Sequence, residues 1–364
     1  MSPLPLVPRA LQGSCALLNG FSQIFLQAKP GCGLLVLLAI AIGAPQLLGG
    51  ALLGCLSSTL TAQRRGYAKA DIDLGLYGYN GVLLGMLISL QFAWSALLPL
   101  LIIVSAGASS LLLAAWMQRM RERQWLPAFT FPFVGLSWLL LWLAPTLQLE
   151  LAPAVPSQAQ PLDWWASLIA MARGLGQVIF LDQPLAGVCL LFGLLLADRR
   201  AACWALLGST GGLALALYQG LPQHSALTGL YGYNAALAAI ALSQVHRRPW
   251  LPGLGIALAL VLQPGFSALG LPALTMPFIL TCWLVSATQR LLHKAAADCT
   301  PLPPNKGKGL HQRAKTPEAA CLFALSASTA NGAARTPWTR GKSCTASSST
   351  PTPQPGSAST VTCC

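Results

Sequence analysis

The chain has 364 residues, of which 54% are hydrophobic and 9% charged, where an ordinary soluble domain carries roughly 25% charged residues. A water-soluble protein of this size cannot hide so much apolar surface, whereas a bilayer accepts helices that are apolar on every outward face. The net charge of +13 does not describe a nucleic-acid-binding face: eight of the 22 Lys and Arg lie in residues 293–364, and the rest fall mostly in short clusters between apolar stretches, as in cytoplasmic loops.

In chain order, residues 1–11 form a short N-terminal segment. Six apolar segments then run over about residues 12–28, 31–44, 46–62, 73–92, 95–117 and 126–144. A linker without Lys or Arg, 145–162, leads to six more, over about 164–181, 184–197, 203–219, 225–243, 250–265 and 268–289. Several are shorter than the ~20 residues that a full helical span needs. Residues 293–364, rich in Ala, Ser, Thr, Pro and Cys, read as a disordered, low-complexity cytoplasmic tail. Six of the eleven cysteines lie in apolar segments, where a thiol behaves as a small hydrophobe. No cofactor or metal site is expected.

The two sets of six segments are copies of one unit. Gly75-Leu76-Tyr77-Gly78-Tyr79-Asn80 recurs as Gly229-Leu230-Tyr231-Gly232-Tyr233-Asn234, an offset that also aligns Gln23 with Gln177, Pro30 with Pro184 and Gly33 with Gly187. Thr130-Phe131-Pro132-Phe133 returns as Thr275-Met276-Pro277-Phe278. Repeated order over so long a stretch defines membrane repeats at 12–144 and 163–292.

Charge then sets the topology. If the first segment of each repeat is re-entrant and the other five cross, an inside N-terminus puts Arg64/Arg65, Arg119–Arg123, Arg199/Arg200, Arg247/Arg248 and Arg290 all inside. Six crossings per repeat would misplace the later clusters. The expected fold is an all-α polytopic membrane protein of two inverted-topology repeats, each with five transmembrane helices and one re-entrant half-helix. The C-terminus is then cytoplasmic too, and the substrate path lies on the pseudo-two-fold axis. Lys29 and Arg173 are not explained by this scheme.

The polar residues inside apolar segments are neutral and paired. Gln23 and Gln177 can exchange hydrogen bonds with a solute at no cost of buried charge, or can simply satisfy a helix end. Thr130 and Thr275 precede a Pro by two residues; the Pro either frees carbonyls to line a path or leaves the Thr to cap its own helix. Asn80 and Asn234 are expected to cap the helices that the glycine-tyrosine motif opens. Asp182, beside Pro184, is the main ionisable group at a segment junction, and helix capping is its expected role. No span carries a carboxylate pair, a His pair or a Cys cluster, which argues against an enzyme, an ammonium channel and an ion-coupled carrier, and for passive passage of a small neutral solute.

The segments NGFSQIFLQAKPGCG, GLYGYNGVLLG, TFPF, RGLGQVIFLDQPLAG, GLYGYNAALAA and LTMPF, taken in order over residues 12–292, resemble the urea transporter family. The resemblance implies a homotrimer in the plasma or inner cell membrane, with a pore in each protomer that passes urea as a flat, dehydrated molecule. It implies that Gln23 and Gln177 stand at outer urea sites, Thr130 and Thr275 at the centre of the filter, and Leu26, Leu84 and Phe180 along its walls. The family's Asn-Pro-Leu-Ser/Thr-Gly appears here as Lys29-Pro30-Gly31-Cys32-Gly33 and Gln183-Pro184-Leu185-Ala186-Gly187, Ala238 matches Leu84, and Gln177 replaces a frequent Glu.

Overall fold

The computed structural model describes residues 9–123, 125–152 and 162–298. The expected disordered tail falls, from residue 299 on, outside the described residues, as do residues 153–161 of the linker.

The first repeat folds as α1 (Arg9–Ser22), a single 3-10 turn Gln23–Phe25, α2 (Pro30–Gly43), α3 (Leu48–Arg64), the short α4 (Lys69–Asp73), α5 (Gly78–Gln91), α6 (Leu97–Arg123) and α7 (Phe131–Leu143). The second gives α8 (Trp164–Gly176), the turn Gln177–Ile179, α9 (Pro184–Ala197), α10 (Arg199–Tyr218), α11 (Gln223–Leu227), α12 (Tyr233–Val245), α13 (Trp250–Ala268) and α14 (Met276–Asp298). Local chemistry sets several of these ends. Pro30 and Pro184 open α2 and α9, where the missing N–H is one that a helix start leaves unpaired anyway. Asp163 and Asp198 accept from the backbone N–H of Ala166 and Arg200 and so cap α8 and α10. The boundary expected after residue 292 falls inside α14, because Lys294-Ala295-Ala296-Ala297 is strongly helix-forming and carries the helix on. The boundary expected after residue 11 likewise falls inside α1.

The helices are apolar outward as well as inward. Trp142 is 75% exposed, Val261 74% and Leu185 66%, which a bilayer tolerates and water does not. By length and composition α6, α10 and α13 can each cross a membrane. The pairs α1–α2 and α8–α9 are bent by 75° and 78° at their breaks, each forming either a broken span or a re-entrant loop. By contrast α5 and α12 are short and almost wholly buried at the centre of the bundle.

Small residues let the inner helices approach closely, the usual way of associating helices in lipid. A Cβ added at Gly54 of α3 would lie 2.0 Å from the Gly81 carbonyl oxygen of α5, and one at Gly208 of α10 would lie 2.5 Å from the Ala236 nitrogen of α12. The glycine-tyrosine motif begins with a left-handed residue in both repeats, Gly75 at φ +76° and Gly229 at φ +85°, each wedged against α1 or α8. Its turn feeds α5 or α12 into the middle of the fold.

Candidate functional site

Two irregular segments, residues 125–130 and 269–275, lead into α7 and α14. Each holds a non-glycine residue in the left-handed region, Phe129 and Leu274, both at φ +44°. In neither does proline interrupt a helix, contrary to the reading that the Pro would free carbonyls. Pro132 and Pro277 lie in the first turn, and the Thr130 and Thr275 carbonyls accept the first helical bonds from Val134 N (3.0 Å) and Ile279 N (3.2 Å). The Thr130 side chain makes no cap bond to its own helix. Its hydroxyl instead meets that of Thr275 at 2.7 Å, both residues being buried.

The asparagines do cap, but not the helices they stand on. Helices α5 and α12 begin earlier, after Tyr77 and Gly232, so Asn80 and Asn234 already lie within the first turn. From there the Asn80 Oδ1 accepts from Phe133 N and the Asn234 Oδ1 from Phe278 N, both at 3.3 Å. These amides are among those that the first turns of α7 and α14 cannot pair internally. Asn234 also donates to the Leu274 carbonyl at 3.0 Å. The neighbouring tyrosines hold the same segments: Tyr79 donates to the Phe129 carbonyl at 2.5 Å and Tyr233 to that of Leu274 at 2.7 Å. Residues of the repeated motif thus carry the two threonines.

The glutamines occupy matching places. Gln23 Nε2 donates to the Leu74 carbonyl at 2.9 Å and Gln177 Nε2 to that of Thr228 at 3.0 Å. Each opens a 3-10 turn that ends in a left-handed residue, Leu26 at φ +58° and Phe180 at φ +61°. A branched or bulky residue held there costs about 1–2 kcal/mol per position, and such strain concentrates where geometry serves function. The Phe180 ring stands 6.3 Å from that of Phe133, and Leu84 is fully buried on α5. Asp182 is exposed and caps no helix; α9 begins at Pro184 with Gln183 before it. Arg173 donates to the Leu227 carbonyl at 3.3 Å, just as Asn19, its equivalent, donates to that of Asp73 at 2.8 Å.

A further pair went unread in the sequence. Trp138 of α7 donates to the Pro272 carbonyl at 2.9 Å, and Trp283 of α14 donates to the Pro127 carbonyl at 2.8 Å. The shift that aligns Thr130 with Thr275 also aligns these indoles and their prolines, so a search at that offset finds them. Trp283 further stacks on Trp116, with centroids 5.6 Å apart and planes 7° from parallel. No group of three His, Cys, Asp or Glu side chains among the described residues is placed to hold a metal ion.

Apolar helices exposed around a centre of neutral, paired polar side chains define a multi-pass helical membrane protein. The chain belongs to the urea transporter family, whose model matches residues 15–290. It is 29% identical over 301 residues to urea transporter 1 of Ovis aries, covering 76% of this chain and 77% of that one. The same identity and shares hold over 308 residues of urea transporter 1 of Rattus norvegicus. Proteins of this family are transporters and not enzymes.

Proposed function

We propose that this protein conducts urea passively down its gradient, through a narrow uncharged filter in each protomer. The observation that carries the reading is the meeting of Thr130 and Thr275 at the centre of the fold, 2.7 Å apart, on segments held by equivalent residues of the two repeats. Urea is small, planar and neutral, with four N–H donors and one carbonyl, and it loses water only where oxygens replace it. The threonine hydroxyls offer such oxygens at the middle and the Gln23 and Gln177 amides at the two ends. Leu26, Leu84 and Phe180 line the apolar slot between them. A filter without charge rejects ions through their far larger desolvation cost.

The same reading makes residues 12–144 and 163–292 inverted repeats of five spans and one re-entrant segment, in a homotrimer of the plasma or inner membrane with both termini cytoplasmic. Matched hydrogen bonds support the pairing of the repeats: Gln23 with Gln177, Asn80 with Asn234, Tyr79 with Tyr233. The basic clusters support the sidedness. Arg121 pairs with Asp71 at 2.6 Å, and Arg119 from the first repeat and Arg290 from the second both approach Trp125. Purified protein in proteoliposomes tests the function through urea flux followed by light scattering. Flux well above that of empty liposomes is expected; none, with folded protein present, rules the channel out.

A further inference from the structure

The two strained turns follow one backbone path but are held by different side chains. In both, the left-handed residue donates its N–H to the glutamine carbonyl, Leu26 to Gln23 at 2.9 Å and Phe180 to Gln177 at 3.3 Å. In the first turn Ser22 Oγ donates to the Gln27 carbonyl at 2.7 Å and accepts from Lys29 N at 3.3 Å, and Gln27 Nε2 donates to the Phe25 carbonyl at 3.2 Å. A fourth bond comes from the other repeat: Gln244 Nε2, in the last turn of α12, donates to the Leu26 carbonyl at 3.0 Å. The equivalents around the Phe180 turn are Gly176 for Ser22, Leu181 for Gln27 and, from the first repeat, Leu90 for Gln244, none with a polar side chain. The Phe180 turn therefore has the same strain without these side-chain braces.

We propose that Gln244 is a positioning residue for the filter: by pinning the Leu26 carbonyl it holds the first slot wall in register and makes that slot the size-selective one of the two. This rests on the channel reading above, since Leu26 matters to selectivity only if solute passes it. Leu26 is partly buried and in an unfavoured backbone region, so without Gln244 its turn relaxes toward commoner torsions and the wall recedes. A receding wall admits a wider solute while costing urea little.

The test compares urea and N-methylurea flux for wild type, Gln244→Leu, which copies the first repeat, and Gln244→Glu, which keeps the shape but puts an acceptor where the donor stood. In both variants the N-methylurea-to-urea ratio should rise about fivefold, the effect of one neutral hydrogen bond. Amide hydrogen exchange over residues 24–29 should quicken while that over 178–183 stays as in wild type. An unchanged ratio in both variants overturns the proposal, as does failure of both to assemble, which would assign Gln244 to the fold. Wild-type protein that passes no urea would refute the channel reading instead, and the exchange measurement would then decide by itself whether Gln244 braces the turn.

Discussion

The Thr130 and Thr275 hydroxyls share one hydrogen bond, 2.7 Å long and buried, so each is the partner that the other loses on substitution. Thr130→Val and Thr275→Val keep the shape and should each slow urea flux by about 1–3 kcal/mol of barrier, the scale of one missing hydrogen bond at a desolvated site. The double variant should cost less than the two singles together, because contacting groups are not additive. Flux through the four proteins, measured in proteoliposomes at matched density, completes the cycle. Unchanged flux in both singles would remove the threonines from the path.

Asn80→Leu leaves the Phe133 amide buried and unpaired, and Asn234→Leu does the same to Phe278 while also removing one of the two donors to the Leu274 carbonyl, Tyr233 keeping the other. Each should lower stability by about 1–3 kcal/mol, Asn234→Leu more than Asn80→Leu. Thermal unfolding in detergent gives the order, and a higher melting temperature for either variant would contradict the capping role.

Flux should not depend on pH or sodium. The side chains gathered around the threonines are neutral, and Asp182 is exposed and present in one repeat only, where the other has Ala28. Coupling to an ion needs a site whose occupancy changes the barrier for the solute. Asp182→Asn should therefore change the rate only modestly. Uphill urea accumulation driven by a proton or sodium gradient, abolished by this substitution, would show a carrier.

A chain cut after residue 298 should fold and conduct as the full-length protein does, since α14 is then intact and the family match ends at residue 290. A cut after residue 292 removes the last turns of that helix and should lower the melting temperature. Size-exclusion profiles and flux of the two truncations separate the outcomes. Equal behaviour of both would mean that those turns contribute nothing.

The sequence was legible where identical residues recur at a fixed spacing. Gln23 with Gln177 and Thr130 with Thr275 stand out because a repeat conserves pairs, and their neutrality follows from residue type alone. What Asn80 caps was not legible, since the amide it meets lies on a helix 53 residues away and only packing brings the two together. The first-turn place of Pro132 and Pro277 was missed because an apolar run does not reveal where an irregular segment yields to helix. Gln244 has no twin, so a search by repetition passes over it.

The reciprocal indole bonds, Trp138 to Pro272 and Trp283 to Pro127, bear on how a solute can get through. Each starts in one repeat and ends in the other, and the threonine pair makes a third tie between them. A hinge rotation of one repeat against the other would have to break these ties in every transport cycle, and such a cycle speeds up steeply on warming. Passage through a frame that leaves all three intact requires only that side chains give way, so flux should rise with temperature about as gently as diffusion in water.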